Sequence, residues 1–302
     1  MRLWIFIWLA TIPLTISQAQ TELGWKFIAG ESHEYRLTQT ARLNTGSGER
    51  IKQIADVAQQ IDFNWKVVEV TENGTATISI KVKSYTLTAK GPDGQEVAYD
   101  SLAEEHPQGY AAMLVPIDRR LTEEPVQFSM TPQGKVNILD LPTDLADAVK
   151  SIPGGKLYSQ DGGVASFESL ARLGGPLSMP PNELREETTW KGTNELEVPA
   201  VGKLSAEYSY EVSEVQSGKP INISQSVSFS LQPDEKNQGL ALGEQTSTGA
   251  VLFDQQLGRP DHSSLSFKIN LIPAIKPADE QSEELMTIEQ NIKFTSLSDT
   301  TQ

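Results

Sequence analysis

The chain contains no cysteine. That excludes disulfides, a thiol nucleophile and thiolate metal sites, and it excludes the lipid-modified cysteine that bacterial lipoproteins require. Basic residues are scarce: 25 Lys and Arg stand against 40 Asp and Glu, for a formal net charge of -15. Such a surface repels phosphate backbones and argues against nucleic acid as a partner. It also disfavours docking on anionic lipid through charge. Aromatic residues make up 7% of the chain. Beyond the first nineteen residues the only tryptophans are Trp25, Trp65 and Trp190, few for a glycosidase cleft that stacks sugars, and they read as strand anchors in a core. Gly-x-Ser-x-Gly does not occur, so the strand-to-helix elbow of a serine hydrolase has no sequence signature here.

Long apolar runs are also missing, except at the start. "MRLWIFIWLATIPLTISQAQ" carries Arg2, then an apolar run from Leu3 to Ile16, then Ser17-Gln18-Ala19 with small residues where a signal peptidase reads. This pattern predicts a secretory signal over residues 1–19, cut after Ala19. The run is shorter than the roughly 20 residues of a membrane span, and Pro13 interrupts it, so a retained anchor is the weaker reading. The predicted location is extracytoplasmic, periplasmic or secreted. A cysteine-free exported domain has to rest on its hydrophobic core, which suits a bacterial envelope protein.

What is present is alternation. Hydrophobic residues make up 38% of the 302. Phe63, Trp65 and Val67 share one face of an extended segment. Asn73-Gly74 is a hairpin signal, because both residues tolerate positive φ. Ala76, Ile78, Ile80 and Val82 line one face of the returning strand. Tyr85 and Leu87 fall on the other parity, which predicts a bulge near Lys83-Ser84. Gly91-Pro92-Asp93-Gly94 is the next turn. Period two returns in Tyr208-Tyr210-Val212, Val227-Phe229-Leu231, Leu265-Phe267-Ile269-Leu271 and Met286 to Phe294. Strict alternation describes antiparallel strands buried on one face.

The middle differs. "GYAAMLVPIDRR" reads as a short or broken helix with Pro116 inside it. "FSMTPQGKVNILDL" reads as a hairpin turning at Pro132-Gln133-Gly134. Thr143 is placed to cap "DLADAVKSI", and Ser166 to cap "FESLARL", which Gly174-Gly175-Pro176 stops. Residues 177–187, with Pro180-Pro181, look like a linker. The expected organisation is therefore an N-terminal β-rich half over residues 20–176 and a C-terminal antiparallel half over 177–302. Trp25-Lys26 with a later "EYRL", and Trp190-Lys191 with a later "EYSY", form a weak repeat of unequal spacing, read either as duplication or as the shared habits of strand starts. The expected fold is mainly β with few short helices: curved antiparallel sheets in a meander, sandwich or half-barrel.

The order of landmarks carries a resemblance. Trp25-Lys26, Gln60 to Val67 around "IDFNW", "YDS" at Tyr99, "PQGKV" at Pro132, the Pro180-Pro181 step before "TTW", and "GKLSAEYSY" from Gly202 follow one another. This resembles a family of secreted bacterial proteins described as a domain of unknown function. The resemblance spans nearly all of the mature chain and implies a secreted β-rich protein. It implies no activity, cofactor or catalytic residue.

Candidate chemistry is thin. His33, His106 and His262 each have carboxylates nearby in sequence (Glu31 and Glu34; Glu104 and Glu105; Asp261), the raw material of a zinc site or an acid–base pair. They lack the i, i+4 spacing of a helical zinc motif, and they read equally as turn histidines in an acid-rich chain. The acidic runs "PADEQSEE" and "PDEKNQG" lack the order of a calcium loop. In "GAVLFDQQLGR", Asp254 and Arg259 are placed to pair across a tight connection. The composite expectation is a non-catalytic envelope protein, without cofactor, that binds or carries an apolar molecule or assembles with a protein partner. A metal-dependent or carboxylate hydrolase and a structural surface protein are the rivals.

Overall fold

The computed structural model describes residues 23–46, 52–103, 107–108, 112, 115–145, 147–148, 164–180, 184–198, 202–215, 219–232, 240–273 and 286–297. These form twelve strands: β1 (Ser32–Thr45), β2 (Lys52–Val70), β3 (Ala76–Lys90), β4 (Glu96–Asp100), β5 (Val126–Met130), β6 (Val136–Asp140), β7 (Thr189–Val198), β8 (Gly202–Glu214), β9 (Ile221–Gln232), β10 (Leu240–Asp254), β11 (Arg259–Pro273) and β12 (Met286–Ser296). Two helices join them, α1 (Val115–Glu123) and α2 (Val164–Ala171). All strands belong to one antiparallel sheet in the order β6-β5-β3-β2-β1-β12-β11-β10-β9-β8-β7, with β4 also on β3. The sheet is not closed. Successive hairpins lay each half down as a meander, and pairing of β1 with β12, from Tyr35↔Ser296 to Thr45↔Met286, joins the halves.

The local signals act where sequence places them. Gly74 takes φ 81° and Gly134 φ 83°, the left-handed conformations that tight hairpin turns need. The β2–β3 register slips at Lys83, since Asp62 faces Ser84 while Phe63 faces Val82. That bulge restores Tyr85 and Leu87 to the face of Ile80 and Val82. Pro116 does not break a helix; it sits in the first turn of α1, where a missing N–H costs nothing. Ser166 lies inside α2 rather than capping it. The first helical carbonyl after Thr143 is that of Asp144, which accepts from Ala148 at 2.9 Å. Asp144 takes φ 60°, and the Thr143 amide donates to Glu124, so Thr143 is not the cap. Gly174 ends α2 as expected, at φ 65° with its N–H on the Ser169 carbonyl.

Of the expected linker over 177–187, Met179 and Leu184 are buried, while Arg185, Glu186 and Glu187 are exposed. The stretch from the end of α2 onward forms a plug. The Trp65 indole donates to the Ala171 carbonyl at 3.1 Å, and Ser263 to the Leu173 carbonyl at 2.8 Å. Leu177 N–H donates to the Tyr210 hydroxyl at 3.1 Å. Two adjacent residues then reach opposite edges of the sheet. The Ser178 carbonyl accepts from the Trp190 indole of β7 at 2.7 Å. Met179 N–H donates to Gln133, in the β5–β6 turn, at 3.0 Å. Laid flat, the eleven strands of the path would span about 48 Å, at about 4.8 Å per neighbour. Neighbouring residues cannot bridge that distance, so the sheet is rolled around the plug into an open half-barrel.

Rolling gives the sheet an inner and an outer face. Trp25, Tyr35, Phe63, Trp65, Ile80, Phe128, Tyr210, Ile223, Val251 and Phe253 form the main core with Leu170, Leu173 and Met179 of the plug. The outer face is laced with cross-strand ion pairs. Arg36 meets Asp62 bidentately at 2.7 Å, Lys268 lies 3.2 Å from Glu289, and Lys191 lies 2.6 Å from Glu207. Each contributes little alone, about 0–1 kcal/mol. Their placement shows which side meets water. A membrane barrel turns its apolar residues outward; this sheet turns charges outward.

Candidate functional site

The plug covers only one end of the roll, the end that carries the β2–β3, β5–β6 and β10–β11 turns. Farther along the strands the inner face continues with the same parity. Val57, Leu43, Ile288, Phe267, Ile269, Phe229, Val227, Ala206 and Leu204 lie on it on six of the seven strands from β2 to β8, and β10 contributes Gly249, Ser247 and Gln245. Two apolar clusters form there, around Leu87 and Tyr99 and around Ala206, Val227 and Leu265. Leu43, Val57, Phe229, Phe267 and Ile288 are half-buried, whereas Ala206, Val227, Leu265, Ile269 and Leu271 are buried. The helices pack chiefly on β3, β5 and β6. Among the described residues no element lies over this face from β7 to β12. Sequence periodicity signals the apolar face; that it is partly uncovered comes from tertiary arrangement.

The amides that interrupt this face are mostly bonded within the sheet, so they add little polarity to it. Gln59 donates to Gln39 at 2.7 Å. Gln225 reaches across β10 to the Ser264 carbonyl at 2.8 Å. That crossing requires Gly249, because a Cβ there would collide with the Ser264 carbonyl and the Gln225 stem. Beyond Gly249 the backbone ladder between β9 and β10 stops at the Gly249↔Gln225 pair. Side chains take over. Ser247 Oγ both accepts from and donates to the Val227 peptide, each at 2.8 Å, and Gln245 does the same for Phe229 at 2.8 and 2.9 Å. The two strands are thus spread apart by a row of side chains, which widens the roll.

At the floor, between plug and sheet, lies a cavity of about 80 Å³. Tyr208, Leu265 and Ile292 form its apolar wall, and Arg172, Gln225 and Ser263 its polar part. Tyr208 and Leu265 also belong to the apolar cluster beyond, so cavity and face adjoin there. Arg172 is 5% exposed, and its Nη2 lies 3.2 Å from Glu168 Oε2. Burial pushes the Tyr208 and Tyr210 phenols up, with nearby Arg172 acting against it.

A second polar cluster sits at the plugged end. Arg259, 3% exposed, donates to Glu31 at 2.8 Å and lies 3.3 Å from His33 Nδ1. His33 Nε2 is 2.9 Å from Glu31 Oε1, although poorly aligned for a hydrogen bond. Burial works against ionisation of Glu31, but Arg259 and His33 together hold its carboxyl below the ordinary range. Burial raises the Tyr35 phenol beside them to about 12. Arg259 therefore does not pair with Asp254 as the sequence suggested. Asp254 instead accepts the amides of Gln256 and Leu257, shaping the turn. This frees Arg259 to tie β11 to the segment before β1.

Of the candidate histidines, His33 and His262 are not brought together. His33 faces inward beside Arg259. His262 lies on the outer parity of β11, with Nδ1 3.5 Å from the Thr295 hydroxyl; burial and Lys293 lower its pKa. His106 lies outside the described residues, as do the two acidic runs. Among the described residues no group of three or more His, Asp or Glu could hold a metal. No described helix is long and apolar enough to cross a membrane.

No protein-family model matches the chain, and no curated protein does. Among solved structures it is similar to one titled for lipid–protein interactions in lipovitellin, with TM-score 0.48 and 14% identity over 90% of this chain and 25% of that one. The chain thus spans about a quarter of that protein's length. Fainter likenesses are to DynF from the dynemicin biosynthesis pathway of Micromonospora chersina (TM-score 0.20, 6% identity, 91% and 85% covered) and to OccK2 of Pseudomonas aeruginosa in complex with glucuronate (TM-score 0.19, 7% identity, 89% and 100% covered). Likeness at these levels carries no functional argument; function has to be read from this chain's own geometry.

Proposed function

We propose that this protein is an extracytoplasmic, non-catalytic carrier that holds an apolar molecule on the inner face of its rolled sheet. One observation carries the reading: the apolar inner face runs on past the plug, with Leu43, Val57, Phe229, Phe267 and Ile288 half-buried among the buried Ala206, Val227, Leu265 and Ile269, and no described helix packs over it from β7 to β12. Apolar area left facing water is unfavourable by about 25 cal/mol per Å², and a bound apolar molecule recovers that. An outer face set with ion pairs and a net charge of -15 keeps such a carrier soluble. The N-terminal sequence supports export, and an uncovered apolar face suits an envelope protein that moves or shields lipid-like cargo.

Native mass spectrometry of residues 20–302, prepared without detergent, tests the reading. The expected result is a reproducible added mass that leaves on denaturation, together with uptake of the apolar dye N-phenyl-1-naphthylamine. Phe267→Glu on the inner face lowers the uptake, while Lys268→Glu on the outer face does not. Bare mass with no dye uptake overturns it.

A further inference from the structure

Resting on the carrier reading and deepening it, we infer that the carried molecule is a single-chain amphiphile with a carboxylate head, and that Arg172 at the cavity floor receives that head. A guanidinium out of water is costly unless its donors are matched. Arg172 has five N–H donors, and among the described residues its side chain meets one partner, Glu168, in a single contact at 3.2 Å. Its buried position is imposed by the chain. Leu173 at φ 53° and Gly174 at φ 65° turn the backbone sharply after α2, and Ser263 anchors the Leu173 carbonyl. The side chain is thereby held against the sheet, lining the cavity rather than reaching solvent.

The surroundings select the kind of anion. About 80 Å³ suits a small planar head rather than a bulky one. A carboxylate matches the fork of a guanidinium in two parallel bonds. The cavity wall adjoins the apolar face at Tyr208 and Leu265, and Leu265 to Leu271 on β11 runs about 20 Å at the rise of a strand, with Phe267 half-buried between the buried Leu265, Ile269 and Leu271. One charged end at the floor and one long apolar path above it describe a fatty acid, not a neutral hydrocarbon and not a broad multi-chain lipid. Elsewhere the acidic surface repels carboxylates, so the attraction is confined to this point.

Titration of delipidated protein with hexadecanoate and, separately, with hexadecanol separates the two proposals. The expected result is binding of both, with hexadecanoate at least about tenfold tighter, the size of a charge-assisted bond. Arg172→Gln brings the two ligands to parity and leaves the alcohol unchanged. Glu168→Gln, which removes the competing carboxylate without emptying the floor, widens the preference and keeps the test usable if Arg172→Gln does not fold. Equal binding of acid and alcohol to the wild type, or a preference untouched by both variants, overturns the head-group assignment while the carrier reading stands. Binding of neither ligand overturns both.

Discussion

The side chain of Gln245 holds both main-chain groups of one residue of the neighbouring strand, accepting from the Phe229 N–H at 2.8 Å and donating to the Phe229 carbonyl at 2.9 Å. A carboxamide thus replaces a backbone pair, as the Ser247 hydroxyl does one step earlier at Val227. The sheet is continuous there only through side chains. Gln245→Ala leaves both polar groups of a half-buried peptide unmet, at a cost of about 1–3 kcal/mol. The expected outcome is faster amide hydrogen exchange at Val227 and Phe229, with little change at Tyr35 or Phe63. Uniform exchange across the sheet would show that the seam is not a separate unit.

Asp118 gives a second prediction. It is buried in α1, the Tyr99 hydroxyl donates to its Oδ2 at 2.7 Å, and its Oδ1 has no partner. Burial raises its pKa above the ordinary 3.8, against the bond from Tyr99. A carboxyl raised in the folded state favours folding below its unfolded value, and that contribution is lost as pH rises through the folded value. Asp118→Asn removes the penalty at neutral pH while keeping an acceptor for Tyr99. Thermal unfolding should show the variant gaining on the wild type at pH 7 and little gain near pH 4.

Glu31 has the opposite sign. Its folded pKa lies below the ordinary 4.5, so its contribution is present above that value and is lost as pH falls through the folded one. Denaturant unfolding between about pH 5 and pH 3 should therefore weaken the wild type more than Arg259→Gln, in which the lowering is gone. Parallel pH slopes for the two proteins would count against the pairing. At pH 7 the same substitution should cost about 3–5 kcal/mol, because it strands Glu31 half-buried without its cation.

Gly174 tests the plug. A Cβ there would strike Ser263 and Phe294, and the residue sits at φ 65°. Gly174→Ala should destabilise by about 2 kcal/mol or more, since steric overlap and a strained backbone act together. Gly94 has a similar φ of 77° but open space around it. Gly94→Ala should cost only the backbone term, about 1 kcal/mol.

The comparison of sequence with structure turns on range. Asn73-Gly74, the bulge at Lys83 and the turn at Gly134 were legible because each is decided by a few adjacent residues. Antiparallel strands polar on one side were legible, while their arrangement in one open sheet rather than a sandwich was not. The plug was not: Pro180-Pro181 reads as a linker, and nothing local says that Met179 will meet Gln133 or that Ser178 will meet Trp190. Arg259 was singled out, but its partner Glu31 lies 228 positions away. Arg172 went unnoticed, because in sequence it is one arginine at the end of a short helix. Only the left-handed turn at Leu173 and Gly174 makes it the floor of a cavity.

The pairing of β1 with β12 has a consequence for how the molecule is made. The strand that β1 needs on its open flank is synthesised after all the others, with Tyr35 bonded beside Ser296. Until then each meander has a raw inner edge and the roll has no middle. Folding dominated by such distant contacts is slow. On the export proposed above, such a delay helps a chain that threads a membrane pore before it folds, because the central seam stays open until β12 has arrived.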